Sequence, residues 1–167
     1  MKFRSDDGFL IRVGRNNRQN DQLTLKQSDG RDLWFHVKTI PGSHVVIRTE
    51  GQPVPDTTMT QAAILAATYS KGADSTGVAV DYCPVKRVKK APGSPPGMVI
   101  YENYNTAYVN PDPGLAEKLK IFEHSPPGFT AFLNGDDPLL CAYDFGRQKI
   151  TLKSICVTYD MKSAGSL

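Results

Sequence analysis

Cysteine is scarce and poorly spaced for chemistry: Cys83, Cys141 and Cys156 are the three in the chain, and no two form a CxxC pair. That argues against a locally encoded zinc ribbon, a dithiol redox centre and a disulfide-stapled secreted scaffold, and fits free thiols in a reducing cytoplasm. Long apolar runs are missing as well. The longest, Ala62 to Ala67, is far below the ~20 residues of a membrane span. Met1-Lys2-Phe3-Arg4 leads straight into Ser5-Asp6-Asp7-Gly8, without the apolar core of a signal peptide. No stretch has the GxxxxGKS or GxxxxGKT form of a Walker A loop, so nucleotide hydrolysis has no support. One sign of charge barely exceeds the other, 20 Lys+Arg against 17 Asp+Glu, a mild +3 for a polyanion binder. No cofactor, no metal ligand set and no membrane contact is expected, and the oligomeric state is left open.

What is present suffices for a core: 167 residues, 40% of them hydrophobic. Phe9, Ile11 and Val13 alternate as on a half-buried strand, and Leu33 to Val37 and Val45 to Ile47 read as two more. The clearest helix spans about residues 58–70. Thr58 and Gln61 have the spacing of a capping box, and Ala62, Leu65, Ala66 and Tyr69 share one face whose small residues suit close packing on a sheet. Asn20-Asp21 is a candidate cap for a shorter helix ending by Leu25 or Gln27. Val78, Val80 and Tyr82 alternate, with further strands around Tyr101 and Tyr108. Pro111-Asp112-Pro113-Gly114 reads as a stop and a turn, and the charge excess falls before it: +3 over residues 1–114, zero over 115–167. The expected class is α+β: a mixed, mainly antiparallel sheet carrying one principal helix, over residues 1–112, followed by a β-rich extension of unknown role over 113–167. Two strands are expected there, Leu139 to Phe145 and Lys149 to Tyr159.

Three polar constellations stand out. Gly14-Arg15-Asn16-Asn17-Arg18 offers two guanidinium forks beside a helix start, which suits a phosphate seat or, equally on composition, a solvated turn. His36 and His44 flank the turn at Pro41-Gly42, which can bring them together. With Ser43, and Asp32 nearby in sequence, they raise the alternative of an RNA-processing or RNA-modifying enzyme with no assigned catalytic residue. Lys86, Arg87, Lys89 and Lys90 crowd four positive charges before a Pro/Gly loop, as a solvated run or a polyanion contact. Trp34 is expected to be buried, whereas Tyr101 or Tyr104 could stack on an unpaired base. A protein–protein adaptor that docks through Phe129, Phe132, Leu139 and Leu140 is a further alternative.

Taken in order, these segments resemble a known family. Residues 3–24, with Asp7-Gly8-Phe9, Val13-Gly14-Arg15-Asn16-Asn17 and Gln19-Asn20-Asp21, are similar to the opening of the NFACT-R domain. Trp34-Phe35-His36, Pro41-Gly42-Ser43-His44-Val45-Val46-Ile47, the alanine-rich helix, Val80-Asp81-Tyr82 and Val88-Lys89-Lys90-x-Pro92-Gly93 continue the likeness to about residue 112. The resemblance implies an RNA-binding module of ribosome-associated quality-control factors, with tRNA or ribosomal RNA as partner and the large ribosomal subunit as a possible one. It carries over Gly14, Arg15, Asn16, His36, Lys38, Ser43, His44, Lys89 and Lys90 as candidate RNA-facing positions. Charge adds Arg18, Lys86 and Arg87. Long members of that family place other domains before this module, so a stand-alone form is expected here.

Overall fold

Alternation of apolar residues produces a two-faced sheet, and each face finds a different cover. The computed structural model describes residues 1–122 and the backbone of three later strands. The chain divides into two compact units, Met1–Ile121 and Phe122–Leu167. The first runs β1 (Lys2–Arg4), β2 (Leu10–Val13), α1 (Asn17–Leu25), β3 (Leu33–Val37), β4 (Val45–Ile47), α2 (Asp56–Thr68), β5 (Val78–Pro84), β6 (Val88–Lys89), β7 (Ile100–Tyr101), β8 (Asn105–Val109) and α3 (Pro113–Leu119). Six strands pair antiparallel in the order β1-β2-β4-β3-β5-β8, and β6 pairs with β7 as a separate ribbon. The α+β class and the antiparallel sheet are as the sequence predicts.

On the first face Phe3, Ile11, Val13, Phe35, Val37, Val45, Ile47, Val78 and Val80 form the main core with α2. Ala62, Ala63, Ala66 and Ala67 are buried in it beside Leu65, and these four small side chains suit close packing of α2 on the strands. Its start differs from the expected capping box. The helix begins at Asp56 after an extended Pro55 that supplies no side-chain cap, and the Asp56 carboxylate faces the positive end of the helix dipole. Thr58 and Gln61 point instead at the β1–β2 turn. Thr58 Oγ1 lies 2.7 Å from Ser5 Oγ and from Asp7 Oδ2, and Gln61 exchanges hydrogen bonds with Asp6. Burial decided the matter, since Thr58 and Gln61 are enclosed and need tertiary partners.

Two elements go beyond the sequence reading. The three residues of β1 pair with β2, placing Phe3 opposite Ile11. The Pro111–Gly114 segment opens α3: Asp112 accepts from the Leu115 N–H at 2.9 Å, and Pro113 occupies the first turn, where its missing N–H costs nothing. Ala116 and Leu119 then join the main core.

The second face carries a smaller core of Leu23, Trp34, Val46, Cys83, Val85 and Val88, covered by α1 and the β6–β7 ribbon. Among the described residues of the second unit are β9 (Ala142–Asp144), β10 (Lys149–Lys153) and β11 (Cys156–Asp160), antiparallel with β10 in the middle. β10 and most of β11 fall within the stretch expected as one strand, and they pair with each other antiparallel. Phe129, Phe132, Leu139 and Leu140 lie outside the described residues. Among the described residues no helix is long and apolar enough to cross a membrane.

Candidate nucleic-acid interface

The α1 start is built by Asn16, not by Asn20-Asp21 as the sequence reading has it. Asn16 Oδ1 accepts from the Gln19 N–H at 2.9 Å, and Gln19 Oε1 accepts from the Arg15 N–H at 3.0 Å. The Asn16-x-x-Gln19 spacing is the signal that finds this cap from sequence. Asn20 is thereby free for another task. Buried, it accepts from the His44 N–H at 3.1 Å and donates to the Gly42 carbonyl at 3.4 Å, fastening α1 to the β3–β4 loop. Gly14 makes that approach possible, since a Cβ there would lie 2.0 Å from Asn20 Oδ1. Gly42 does the same on the other side, where a Cβ would meet Val37 Cγ2 at 2.6 Å and the chain bridges to Ser70.

These junctions border an open, shallow cleft of about 540 Å³ lined by Arg15, Asn16, Asn17, Ser43, Tyr69 and Lys71 among others. Arg15 and Asn16 therefore meet Ser43, distant from them in sequence, here. Lys71 is an addition that no local motif announces: it arrives because its N–H donates to the Pro41 carbonyl at 2.9 Å. Arg15 and Arg18 are exposed, and neither guanidinium has an ion-pair partner among the described residues.

Other candidates are already committed within the fold. Lys90 Nζ sits 2.8 Å from Asp21 Oδ2 and 2.6 Å from the Pro95 carbonyl, while the Gly97 N–H donates to Asp21 Oδ1 at 2.9 Å. This clamp holds the Pro/Gly loop on α1. Partial burial works against the Asp21 charge, but Lys90 and the Gly97 N–H outweigh it and keep the carboxyl below its ordinary range. Lys89 stands 3.9 Å from Glu102 on the surface, a pair worth little. Arg87 donates to the Asn103 carbonyl. Val85–Arg87 form a short 3-10 turn, so regular alternation ends before the basic run. Lys86 is exposed at the Gly30 end of the sheet, bonded through its N–H to the Gly30 carbonyl, with β3 between it and Lys38. The basic run is thus spread over two ends of the sheet.

The two histidines do meet, their ring centroids 5.4 Å apart, but inside the second face. His44 Nδ1 is 2.8 Å from the Thr24 hydroxyl, and the residue is 1% exposed. Burial, with His36 as a secondary cause, pushes its pKa down to about 4; burial lowers His36 too. Both rings are therefore neutral at pH 7 and bring no positive charge. Asp32, the carboxylate weighed with them, accepts from the Thr49 and Asp29 N–H groups at 3.0 and 2.9 Å and holds loops beyond the other end of β3. Among the described residues no His, Cys, Asp or Glu cluster could hold a metal ion.

Lys38 occupies the outer row of the second face. Its Nζ lies 5.1 Å from the Tyr104 ring centre and 3.8 Å from Asp81 Oδ1. Asp81 is buried, and it accepts from Tyr101 and Thr106 at 2.8 and 2.6 Å. Trp34, Tyr101 and Tyr104 form an aromatic file from the core to the surface, with centroid separations of 4.7 and 5.1 Å.

The sheet, its alanine-backed helix and the polar loops drawn together at the α1 start define an α+β module with a cationic cleft at one end. The family model described as NFACT protein RNA binding domain matches residues 1–103. The chain belongs to this family. It is 47% identical over 118 residues to "Rqc2 homolog RqcH" of Bacillus subtilis, covering 71% of this chain and 20% of that protein. The protein of the same description in Streptococcus pneumoniae is 48% identical over 116 residues, 70% of this chain and 21% of the relative. The chain thus spans about a fifth of the length of these curated relatives. The C-terminal part of the fibronectin/fibrinogen-binding protein from Streptococcus suis has a similar structure, with a TM-score of 0.69 at 43% identity, covering 72% of this chain and 48% of that one.

Proposed function

We propose that this chain binds structured RNA, tRNA or ribosomal RNA, through backbone phosphates. The observation that carries the reading is the cleft in which Arg15, Asn16, Ser43 and Lys71 converge, within a chain whose family is described as RNA-binding. Arg15 and Lys71, with exposed Arg18 on the first turn of α1, supply cationic heads, and Asn16 and Ser43 offer neutral donors. His44 braces Asn20 of the cleft through its backbone N–H, and Lys90 holds the Pro/Gly loop on α1. Contacts of this kind position an RNA by shape and carry no base sequence. Likeness to relatives described as Rqc2 homologues supports a role of such binding in ribosome-associated quality control, and we extend the proposal to the large ribosomal subunit as a partner and the cytoplasm as the setting.

Mobility shift of tRNA over a salt series tests the reading. Binding is expected at low salt and falls with a log–log slope of about −0.7 to −0.9 per phosphate contacted. Absence of binding at low salt, or affinity indifferent to salt, overturns it.

A further inference from the structure

The β1–β2–β4 half of the second face carries arginines where its other half carries a core. Phe3, Ile11 and Ile47 belong to the main core, so alternation turns Arg4 of β1, Leu10 and Arg12 of β2, and Arg48 just beyond β4 to the face that holds Val46. The register sets them in two rows. Arg12 pairs with Val46 on one side and Lys2 on the other. Arg4 pairs with Leu10, whose carbonyl accepts from the Arg48 N–H at 2.9 Å. Arg4, Leu10 and Arg48 line one depression of about 320 Å³, so two guanidinium-bearing residues border the same concavity from the strands on either side of β2. Arg4 and Arg48 are exposed and Arg12 is half-buried, its guanidinium bonded to Gln27 Oε1. Among the described residues none of the three has an ion-pair partner. Asp7 and Glu50 line the depression as well. Asp7 Oδ2, however, lies 2.7 Å from Thr58 of α2, on the side of the main core. Asp29, which also feels the Arg48 charge, is held by Arg31 at 3.0 Å. Three guanidinium groups thus share this side with Glu50 as the carboxylate that is not bonded elsewhere.

We infer that RNA seated in the cleft runs its backbone on along β2, past Arg12, and sets a phosphate between Arg4 and Arg48, an inference that rests on the RNA reading above. Arg15 of the cleft follows β2 directly, so one strand leads from the first site to the second. Arg12 stands two residues from the Arg4–Arg48 row, about 6.8 Å along the strand, near the spacing of neighbouring phosphates on a nucleic-acid backbone. Guanidinium forks take phosphate oxygens two at a time. Like charges placed on one face repel until a polyanion lies across them. Half-buried Leu10 between the arginines offers no large apolar anchor of the kind a protein partner needs.

The test uses the full chain and tRNA over a salt series. Arg48→Ala and Arg4→Ala are each expected to weaken binding about 3–10-fold at low salt and to lower the log–log slope by about 0.7–0.9. Arg48→Lys, which keeps the charge, is expected to keep the slope. Lys118→Ala removes one charge from exposed α3 on the opposite side of the sheet and is expected to leave the slope as it is. Unchanged slopes in Arg4→Ala and Arg48→Ala, with the slope of Lys71→Ala reduced, overturn the path along β2 and leave the cleft reading standing. An equal fall in Lys118→Ala also overturns it, since net charge alone would then be at work. Polyglutamate that binds wild type as tightly as tRNA, and Arg48→Ala more weakly, overturns it in favour of an acidic protein surface. Failure of wild type to bind tRNA at low salt overturns both readings.

Discussion

His44 ties acid stability to one buried ring. Its pKa is held at about 4 by burial first and by His36 second, against 6.5 for an open imidazole. Between those values the unfolded chain takes up a proton that the folded one refuses, so stability is lost as pH falls from 6.5 to 4. The ring is enclosed, which gives an upper figure of roughly 3 kcal/mol. Urea midpoints measured across that interval are expected to drop, and His44→Gln is expected to flatten the profile. The single Trp34, with its ring 5.3 Å from His44 and 5.7 Å from His36, supplies the optical signal. The nearby Cys83 thiol makes a second prediction. Burial pushes its pKa up to about 11 and closes it to reagents. Disulfide exchange with an aromatic reagent is expected to leave Cys83 unlabelled in the native protein and to label it on unfolding, read by peptide mapping.

At the scale of elements, glycine decides how closely helix and loop approach. Gly14→Ala puts a methyl 2.0 Å from Asn20 Oδ1 and displaces the side chain that joins α1 to the β3–β4 loop. The expected cost is about 1–3 kcal/mol in the urea midpoint, together with faster hydrogen exchange at the His44 amide. Elements whose signal is local were legible beforehand. The strands from Phe9, Leu33, Val45 and Val78 declare themselves by alternation, α2 by its alanine face, and the meeting of His36 with His44 by the turn between them. What escaped reading is what depends on distant partners. Three-residue β1 is a strand only because β2 lies beside it, and α3 holds because Leu119 reaches the main core. Lys71 entered the cleft through a backbone bond to Pro41, for which the sequence offers no local sign. The basic run misled in the opposite sense: four neighbouring charges suggested one patch, but the turn at Val85–Arg87 and the Lys90 clamp divide it.

For the molecule as a whole, a net charge of +3 matters less than where the charges stand. Arg15 and Lys71 line the cleft at one end of the sheet, whereas Lys86 projects at the Gly30 end. Five residues of β3 separate the two ends, some 16 Å of strand. On the RNA reading, a short hairpin seated at the cleft cannot reach Lys86, but an RNA of tRNA length can. Lys71→Ala is therefore expected to weaken both probes and to lower each log–log salt slope by nearly one unit. Lys86→Ala is expected to leave the hairpin untouched and to weaken tRNA only. Equal losses for both probes in Lys86→Ala would mean that RNA enters from the Gly30 end and that the cleft lies off its path. Parallel titrations of the two variants on the two probes separate those geometries, because screening acts on every contact alike while reach acts only on the far one.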